Sequence, residues 1–359
     1  MSNFIEYNDK IAFHPGYYIK ELVEESGLTQ QDFAKRLGTT PKNLSIIIRG
    51  EQSISNDIAM KLARMLDTSV SYWLNLQSSY DALIAEFNSD KELEVEREIF
   101  KCLEYGYFRD KFGLPDIPRK IDKQIKCVRE FLNVSSLSVF TQRDMATSFR
   151  SASLELSKAS TVKANMMVQI AVNMALKVDA PSFNKSKFEE AIHYALTLTD
   201  KNDIFYPLLK DAFHKAGVIF IVLPNISGSM INGATKKIGK NILLMVNDRR
   251  LYTDTFWFTL FHEIGHIVES DYGASFEKNS DEQEDAADQY AKDMLIPLSD
   301  YQKFVDDRKF SVDSIKRFAR GINRSPGIVL GRLQKEGYVR FDDCSMQVLK
   351  HKYKVDKVS

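Results

Sequence analysis

Residues 256–266 of the chain, FWFTLFHEIGH, place two histidines four positions apart in an apolar segment. In an α-helix, residues with this spacing lie on one face, about one turn from each other. The segment belongs to a helical pattern over about residues 254–269, so we expect a buried helix that presents His262 and His266 side by side. Two imidazoles in this arrangement can bind one metal ion, and zinc suits neutral imidazole together with a carboxylate oxygen.

Glu263 follows the first histidine and therefore lies on a neighbouring face of the same helix. From there its carboxylate can reach a water on the ion without being a ligand itself. A His-Glu-x-x-His helix is the known arrangement for zinc-dependent hydrolysis. The same pentapeptide also occurs by chance in helices that bind nothing, so the motif needs support from other residues.

A catalytic zinc site has a third protein ligand and keeps one coordination position open. The next predicted helix, about residues 281–295, carries Glu284 and Asp288 on one face. Ala287 and Ala291 follow the same spacing, so this helix can approach the first one closely. We expect Glu284 to be the ligand and Asp288 to accept a hydrogen bond from the second ring nitrogen of a ligand histidine. The reverse assignment of the two acids stays open.

The cysteines favour a catalytic over a purely structural zinc site. Structural zinc sites usually have four protein ligands, and these are often cysteines. Cys102, Cys127 and Cys344 are far apart in sequence and form no metal-binding pair. We expect them to be structural thiols in a reducing cytoplasm.

The motif FTLFHEIGH at residues 258–266, followed by E-x-x-A-D-x-Y-A-x-x-M-L-I-P at residues 284–297, resembles the ImmA/IrrE family of metallo-endopeptidases. The resemblance implies a zincin-like domain with a small sheet. It also implies zinc ligands His262, His266 and Glu284, with Glu263 as the general base. Family members often cleave DNA-binding repressors, so a protein substrate is implied. One departure is the alanine at position 286, where many members carry a second acidic residue.

Two apolar segments before this helix predict the strands of the sheet. Residues 218–223 are β-branched and aliphatic and are bounded by Gly217 and Pro224. Residues 241–246 form a second apolar run. Such short runs with turn residues at both ends indicate buried strands.

Residues 15–80 predict a separate bundle of five short helices. Thr29 is the expected N-cap of the second helix, and Thr40 caps the third, with Pro41 at its first position. Two short helices joined by a glycine-containing turn predict a helix-turn-helix, whose second helix can enter the major groove of DNA. A helical bundle used only for protein contacts has the same periodicity.

The segments LTQQDFA at residues 28–34 and YWLNLQ at residues 72–77 resemble HigA-type antitoxins of the Xre/Cro helix-turn-helix family. The resemblance implies that Gln30 and Arg49 contact phosphates of double-stranded operator DNA. It places Lys42, Asn43 and Ser45 near base edges. The apolar run over residues 46–48 departs from this pattern. We expect a homodimer on a near-palindromic operator.

The amino-acid composition does not point to any further binding partner. The chain has 359 residues, which suggests two or three domains, and its 49 basic residues equal its 49 acidic residues in number. DNA binding must therefore depend on a local motif and not on bulk charge. The N-terminus lacks the pattern of a signal peptide, and no apolar run is long enough to span a bilayer, so we expect a cytoplasmic protein without membrane contact.

The predicted fold class is α+β and mostly α. We divide the chain into a helix-turn-helix domain (1–80), a helical connector or sensor (81–200), a zincin-like domain (201–300) and a helical tail that packs on it (301–359). The predicted function is a DNA-binding regulator with a zinc-dependent endopeptidase that cleaves a repressor, a toxin or the chain itself. The alternative is a non-catalytic antitoxin whose zinc domain only binds or senses a partner.

Overall fold

A computed structural model of the chain describes residues 3–7, 9–142, 156–201, 204–249, 252–276 and 282–352. Contacts between residues divide the chain into two compact units, Met1–Val95 and Glu96–Ser359. One long helix crosses the boundary between the units. The division into four segments stays a prediction.

The first unit is a bundle of five helices preceded by a short antiparallel hairpin. Its elements are β1 (Phe4–Tyr7), β2 (Lys10–Phe13), α1 (Pro15–Glu25), α2 (Gln30–Leu37), α3 (Pro41–Ile48), α4 (Asn56–Leu66) and α5 (Val70–Phe100). The five helices confirm the predicted fold of this part, but α5 is not short, because it has 31 residues and continues past residue 80. The hairpin is absent from the prediction because its four-residue strands are too short to show a clear alternation of apolar and polar residues.

Side-chain caps fix the beginnings of α2 and α3, as the sequence predicts. The N–H of Asp32 donates to Thr29 Oγ1 at 3.1 Å, and the N–H of Asn43 donates to Thr40 Oγ1 at 3.1 Å. A cap of this kind stabilises a helix by about 1 kcal/mol. The apolar faces of the five helices meet in a core that includes Ile19, Phe33, Leu44, Ile47, Leu62 and Trp73.

The second unit contains ten further helices and one mixed sheet within the described residues. The helices are α6 (Tyr105–Phe112), α7 (Ile121–Leu132), α8 (Lys158–Ala175), α9 (Lys185–Leu196), α10 (Phe205–Lys215), α11 (Thr253–Val268), α12 (Glu282–Leu295), α13 (Leu298–Asp306), α14 (Val312–Gly321) and α15 (Pro326–Lys335). The strands are β3 (Val218–Leu223), β4 (Ile231–Ile238), β5 (Asn241–Asn247) and β6 (Ala274–Phe276). Short 3-10 helices cover Leu137–Thr141 and Cys344–Leu349.

The sheet has the strand order β3-β5-β4-β6, with β3 parallel to β5 and the other neighbours antiparallel. Every residue of β3 and β5 is buried. Helix α10 packs on β3, α11 packs on β4 and β5, and α8 packs on β3 and β5. Strands that are covered on both faces are apolar along their whole length, which is why these two strands are predictable from sequence.

Strands β4 and β6 are absent from the sequence prediction. Strand β4 contains Gly233, Lys236 and Lys237, residue types that occur less often in strands. Strand β6 has only three residues. Pairing with neighbouring strands stabilises both segments in the sheet, and that pairing is not a local property of the sequence.

The fold class is α+β and mostly α, as predicted. Helix α8, from the middle of the chain, packs on the sheet of the second unit. Within the described residues, none of the helices combines the length and the apolar composition that crossing a lipid bilayer requires.

Candidate metal centre and helix-turn-helix

Helix α11 presents two imidazole rings to one another, as its four-residue spacing predicts. The Nε2 atoms of His262 and His266 lie 3.2 Å apart. Both side chains are buried, with His262 8% and His266 1% exposed. The apolar residues around them, including Leu260, Phe261 and Ile264, are fully buried and hold the helix against the sheet.

Glu284 of α12 completes a cluster with the two histidines. Its Oε2 lies 3.1 Å from His262 Nε2, and its Oε1 lies 3.6 Å from His266 Nε2. One ligand atom from each of the three residues lies within 4.8 Å of the other two. The structure thus brings together the three residues that the sequence predicts as ligands.

A carboxylate lies at the second ring nitrogen of each histidine. His262 Nδ1 is 2.9 Å from Asp288 Oδ1, and His266 Nδ1 is 3.0 Å from Asp271 Oδ2. An ionised carboxylate can only accept a hydrogen bond, so each Nδ1 carries a proton and donates it. Nε2 of each ring therefore faces the cluster. Asp288 is in its predicted place, whereas Asp271 was not identified from the sequence.

The donor set fits a cation. The Nε2 atoms of His262 and His266 lie beside the Glu284 carboxylate, and each of the three groups can be a metal ligand in its deprotonated form. Burial by itself lowers the pKa of His262, but the hydrogen bonds to Asp288 and Glu284 raise it to about 9. Because the pKa of His262 is raised, a metal ion has to compete with a proton for the ring nitrogen.

Helices α11 and α12 approach each other closely at Gly265. A Cβ atom at this position would lie 3.3 Å from the Cα of Ala287 and 3.2 Å from the ring of Tyr290. Glycine lowers helix propensity by about 1 kcal/mol relative to alanine. The approach of the α12 backbone accounts for this cost, because it brings Glu284 within reach of the histidines.

Glu263 lies under strand β4. Its side chain is 0% exposed, and a Cβ atom at Gly233 would lie 2.6 Å from Glu263 Oε1. The absence of a side chain at Gly233 is thus what admits the Glu263 carboxylate. Gly233 was not identified from the sequence, because β4 itself was not.

Two arginines of the C-terminal part hold the end of α12. Arg324 donates to the carbonyl of Leu295 at 3.0 Å, and Arg332 donates to the carbonyls of Lys292 and Ile296 at 3.2 and 3.3 Å. The last carbonyls of a helix have no partner within the helix and carry partial negative charge. These contacts therefore stabilise the helix that carries Glu284.

The five residues predicted to contact DNA lie in α2 and α3 or at their ends. Gln30 is the first residue of α2, and Lys42 is exposed near the start of α3. Arg49 follows α3 and donates to Ser45 Oγ at 2.9 Å. Asn43 donates to Thr39 Oγ1 at 3.0 Å and accepts from Gln52 at 3.2 Å.

Arg49 also forms a bidentate ion pair with Glu51, at 2.9 and 3.0 Å. This pair was not expected from the sequence. The two side chains are 47% and 37% exposed to solvent. The pair therefore offsets the charge of Arg49.

Two family models match the chain. Residues 19–73 match the helix-turn-helix model, and residues 219–333 match the IrrE N-terminal-like domain. Virulence-associated protein I of Dichelobacter nodosus is 34% identical over 80 residues, which are 22% of this chain and 74% of that protein. An uncharacterized HTH-type transcriptional regulator of Escherichia coli, YddM, is 30% identical over 24% of this chain and 92% of its own length.

The chain belongs to the helix-turn-helix family. It is a helix-turn-helix regulator of the Xre type, and its second unit carries an IrrE-like domain of the M78 peptidase family. Both resemblances found in the sequence are thereby confirmed.

Solved structures similar to the chain cover about a quarter of it. An addiction module antidote protein of the HigA family from Coxiella burnetii is 34% identical, with a TM-score of 0.22, and covers 24% of this chain and 94% of that one. PA4674 of Pseudomonas aeruginosa, in complex with its operator DNA, is 31% identical, also with a TM-score of 0.22, over 24% of this chain and 94% of that one.

Proposed function

We propose that this regulator carries a zinc-dependent endopeptidase, which hydrolyses a peptide bond in a protein partner or in the chain itself. The observation that supports it most is the buried cluster of His262, His266 and Glu284, with Glu263 on the helix of the two histidines. Three protein ligands of this kind are the donor set of catalytic zinc sites, which keep a fourth position for water.

In this proposal His262, His266 and Glu284 hold the ion, and Asp288 keeps the ring of His262 in the required tautomer. Zinc, when bound, acts as a Lewis acid and lowers the pKa of a bound water towards about 7. Glu263 accepts a proton from the attacking water and transfers it to the amine that leaves. A cytoplasmic location and a protein substrate remain part of the proposal.

The helix-turn-helix unit supplies the other half of the function. We infer that α3 enters the major groove of double-stranded operator DNA, with Lys42, Asn43 and Ser45 near base edges and Gln30 and Arg49 near phosphates. The capped start of α3 and the exposure of Lys42 support this orientation. Because Glu51 offsets the charge of Arg49, we expect few phosphate contacts and a shallow dependence of affinity on salt. A homodimer on a near-palindromic site remains a prediction.

One observation favours the alternative, a non-catalytic antitoxin that uses its metal domain to bind or sense a partner. Glu263 is 0% exposed, so a substrate cannot reach it unless the residues above it move. The alternative needs no such movement.

Two variants of the full chain separate these functions in one experiment. We expect Glu263→Gln to keep bound zinc and operator affinity and to lose cleavage of a repressor or toxin encoded nearby, or of the chain itself. General acid–base catalysis contributes about 10²–10⁴-fold to a rate, so the loss is expected to be at least about 100-fold.

The double variant Lys42→Ala, Asn43→Ala is the matched control. It should cleave like the wild type and lose operator affinity. Equal cleavage by Glu263→Gln and the wild type would refute Glu263 as the base. If the wild type and Glu263→Gln both repress the operator and neither cleaves any of these substrates at all, the result supports the non-catalytic alternative.

A further inference from the structure

Asp271 contacts His266, whereas Asp288 contacts His262. Asp271 Oδ2 lies 3.0 Å from His266 Nδ1, on the side of the ring that faces away from the cluster. The side chains of His266 and Asp271 are 2% and 21% exposed, so this hydrogen bond is largely screened from water. A hydrogen bond between charged and neutral partners is stronger in such surroundings than in solvent.

The backbone fixes Asp271 in this position. Ser270 adopts a left-handed conformation with φ 59°, which turns the chain sharply after α11. The N–H of Asp271 then donates to the carbonyl of His266 at 2.8 Å, and the N–H of Ser270 donates to the carbonyl of Ile267 at 3.1 Å. Asp271 is therefore held to His266 twice, once by its N–H and once by its carboxylate.

The two histidines differ in how their carboxylate partners are held. Asp288 Oδ2 also lies 3.4 Å from Lys335 Nζ, and its side chain is 32% exposed. Burial by itself raises the pKa of Asp288, but the hydrogen bond from His262 and the charge of Lys335 lower it below its ordinary value. Asp271 is the more buried of the two acids and belongs to the turn that ends the helix of the histidines.

We propose that Asp271 is a positioning residue for the metal centre: it keeps the proton of His266 on Nδ1 and fixes the ring plane so that Nε2 faces the ion. The inference rests on the proposed function only in requiring that the cluster binds zinc. It does not require that the protein cleaves anything. Partners of this kind typically change metal affinity by about 10–100-fold.

The test measures the zinc affinity of the full chain by competition with a chromophoric chelator. We expect Asp271→Ala to weaken binding by about 10–100-fold, similar to Asp288→Ala. Asp271→Asn should lie between Asp271→Ala and the wild type, because its amide oxygen can still accept from Nδ1 without a negative charge. Glu269→Ala is the matched control, because this exposed acid lies at the same end of α11 and should leave the affinity unchanged.

The visible spectrum of the cobalt-substituted protein supplies a second readout that is independent of activity. A displaced His266 ring should alter the bands of the bound cobalt in Asp271→Ala, while Glu269→Ala keeps the spectrum of the wild type. If Asp271→Ala and Asp271→Asn both bind zinc like the wild type, the inference is wrong. If the wild type itself binds no zinc, the proposed function fails instead, so the two failures are distinguishable.

Discussion

His14 caps the first helix of the helix-turn-helix unit with its imidazole ring. The N–H of Gly16 donates to His14 Nδ1 at 3.0 Å, and the ring packs edge-on against Tyr80. Nδ1 can accept this hydrogen bond only while it carries no proton. Burial lowers the pKa of His14, and the nearby carboxylate of Asp81 offsets part of the effect. The folded unit therefore disfavours the charged ring.

We expect the first unit to lose stability as the pH falls below 6.5, the ordinary pKa of this side chain. Below that pH the unfolded chain binds a proton that the folded chain does not. The free energy of unfolding therefore decreases until the pH reaches the lower pKa of the folded state. Fluorine NMR of the chain labelled with fluorotryptophan can follow urea unfolding at each pH, because Trp73 and Trp257 are the only tryptophans and report one unit each.

His14→Asn is the control for this prediction, because asparagine is a good N-cap and does not titrate. His14 is the only histidine in residues 1–95. The Trp73 transition of His14→Asn should thus depend less on pH just below 6.5 than that of the wild type. If the stability of His14→Asn depended on pH as strongly as that of the wild type, carboxylates of the first unit would be responsible for the loss of stability.

At the scale of elements, the arrangement of β4 over α11 decides where Glu263 can lie. Gly233 stands where any larger residue would overlap the Glu263 side chain, with a Cβ atom 2.6 Å from Oε1. His262 and His266 lie on the same helix, but they contact α12 and the turn after α11. A change in β4 can therefore move the base while the ligands stay in place.

We expect Gly233→Ala to reduce cleavage by about 100-fold, because a displacement of about 1 Å from the reactive geometry can have this effect. Zinc affinity should stay within about threefold of the wild type, since the change does not touch a ligand. Steady-state cleavage and chelator competition on the same samples measure both quantities.

Gly321→Ala is a suitable comparison, because a Cβ atom at Gly321 meets no other atom within 4 Å. This variant should match the wild type in both assays. If Gly233→Ala lost zinc binding, the change in β4 would have moved the ligands as well as Glu263. That result would contradict the prediction that β4 affects Glu263 alone.

At the scale of the whole molecule, the contacts separate Met1–Val95 from Glu96–Ser359, and the metal cluster lies in the second unit. A ligand that binds only the folded state stabilises it by about 2.7 kcal/mol when its concentration is 100 times Kd. If the two units unfold separately, the bound ligand stabilises only the unit that contains its site.

We expect a chelator to lower the midpoint of thermal unfolding reported by Trp257 by several degrees. The midpoint reported by Trp73 should stay unchanged. Added zinc should restore the Trp257 midpoint in the wild type. In His262→Ala, neither chelator nor zinc should change it. Equal shifts of both resonances on chelation would mean that the two units unfold as one.

The local features of this chain follow from its sequence. The spacing of His262 and His266 puts both rings on one face wherever the segment is helical, and the same argument applies to Glu284 and Asp288. The caps at Thr29 and Thr40 and the apolar runs of β3 and β5 are equally local. These signals need only the period of a helix or the composition of a buried strand.

Only the tertiary structure decided which groups meet across elements. The pairing of Asp271 with His266 depends on the left-handed turn at Ser270, and the position of Glu263 depends on a strand that the sequence does not reveal. Arg324 reaches the end of α12 from far along the chain. The contacts of Glu263 and Arg324 arise when separate segments pack together, so the order of residues within one segment cannot predict them. The contact of Asp271 is short in sequence, but it depends on a left-handed residue at a helix end that no glycine marks.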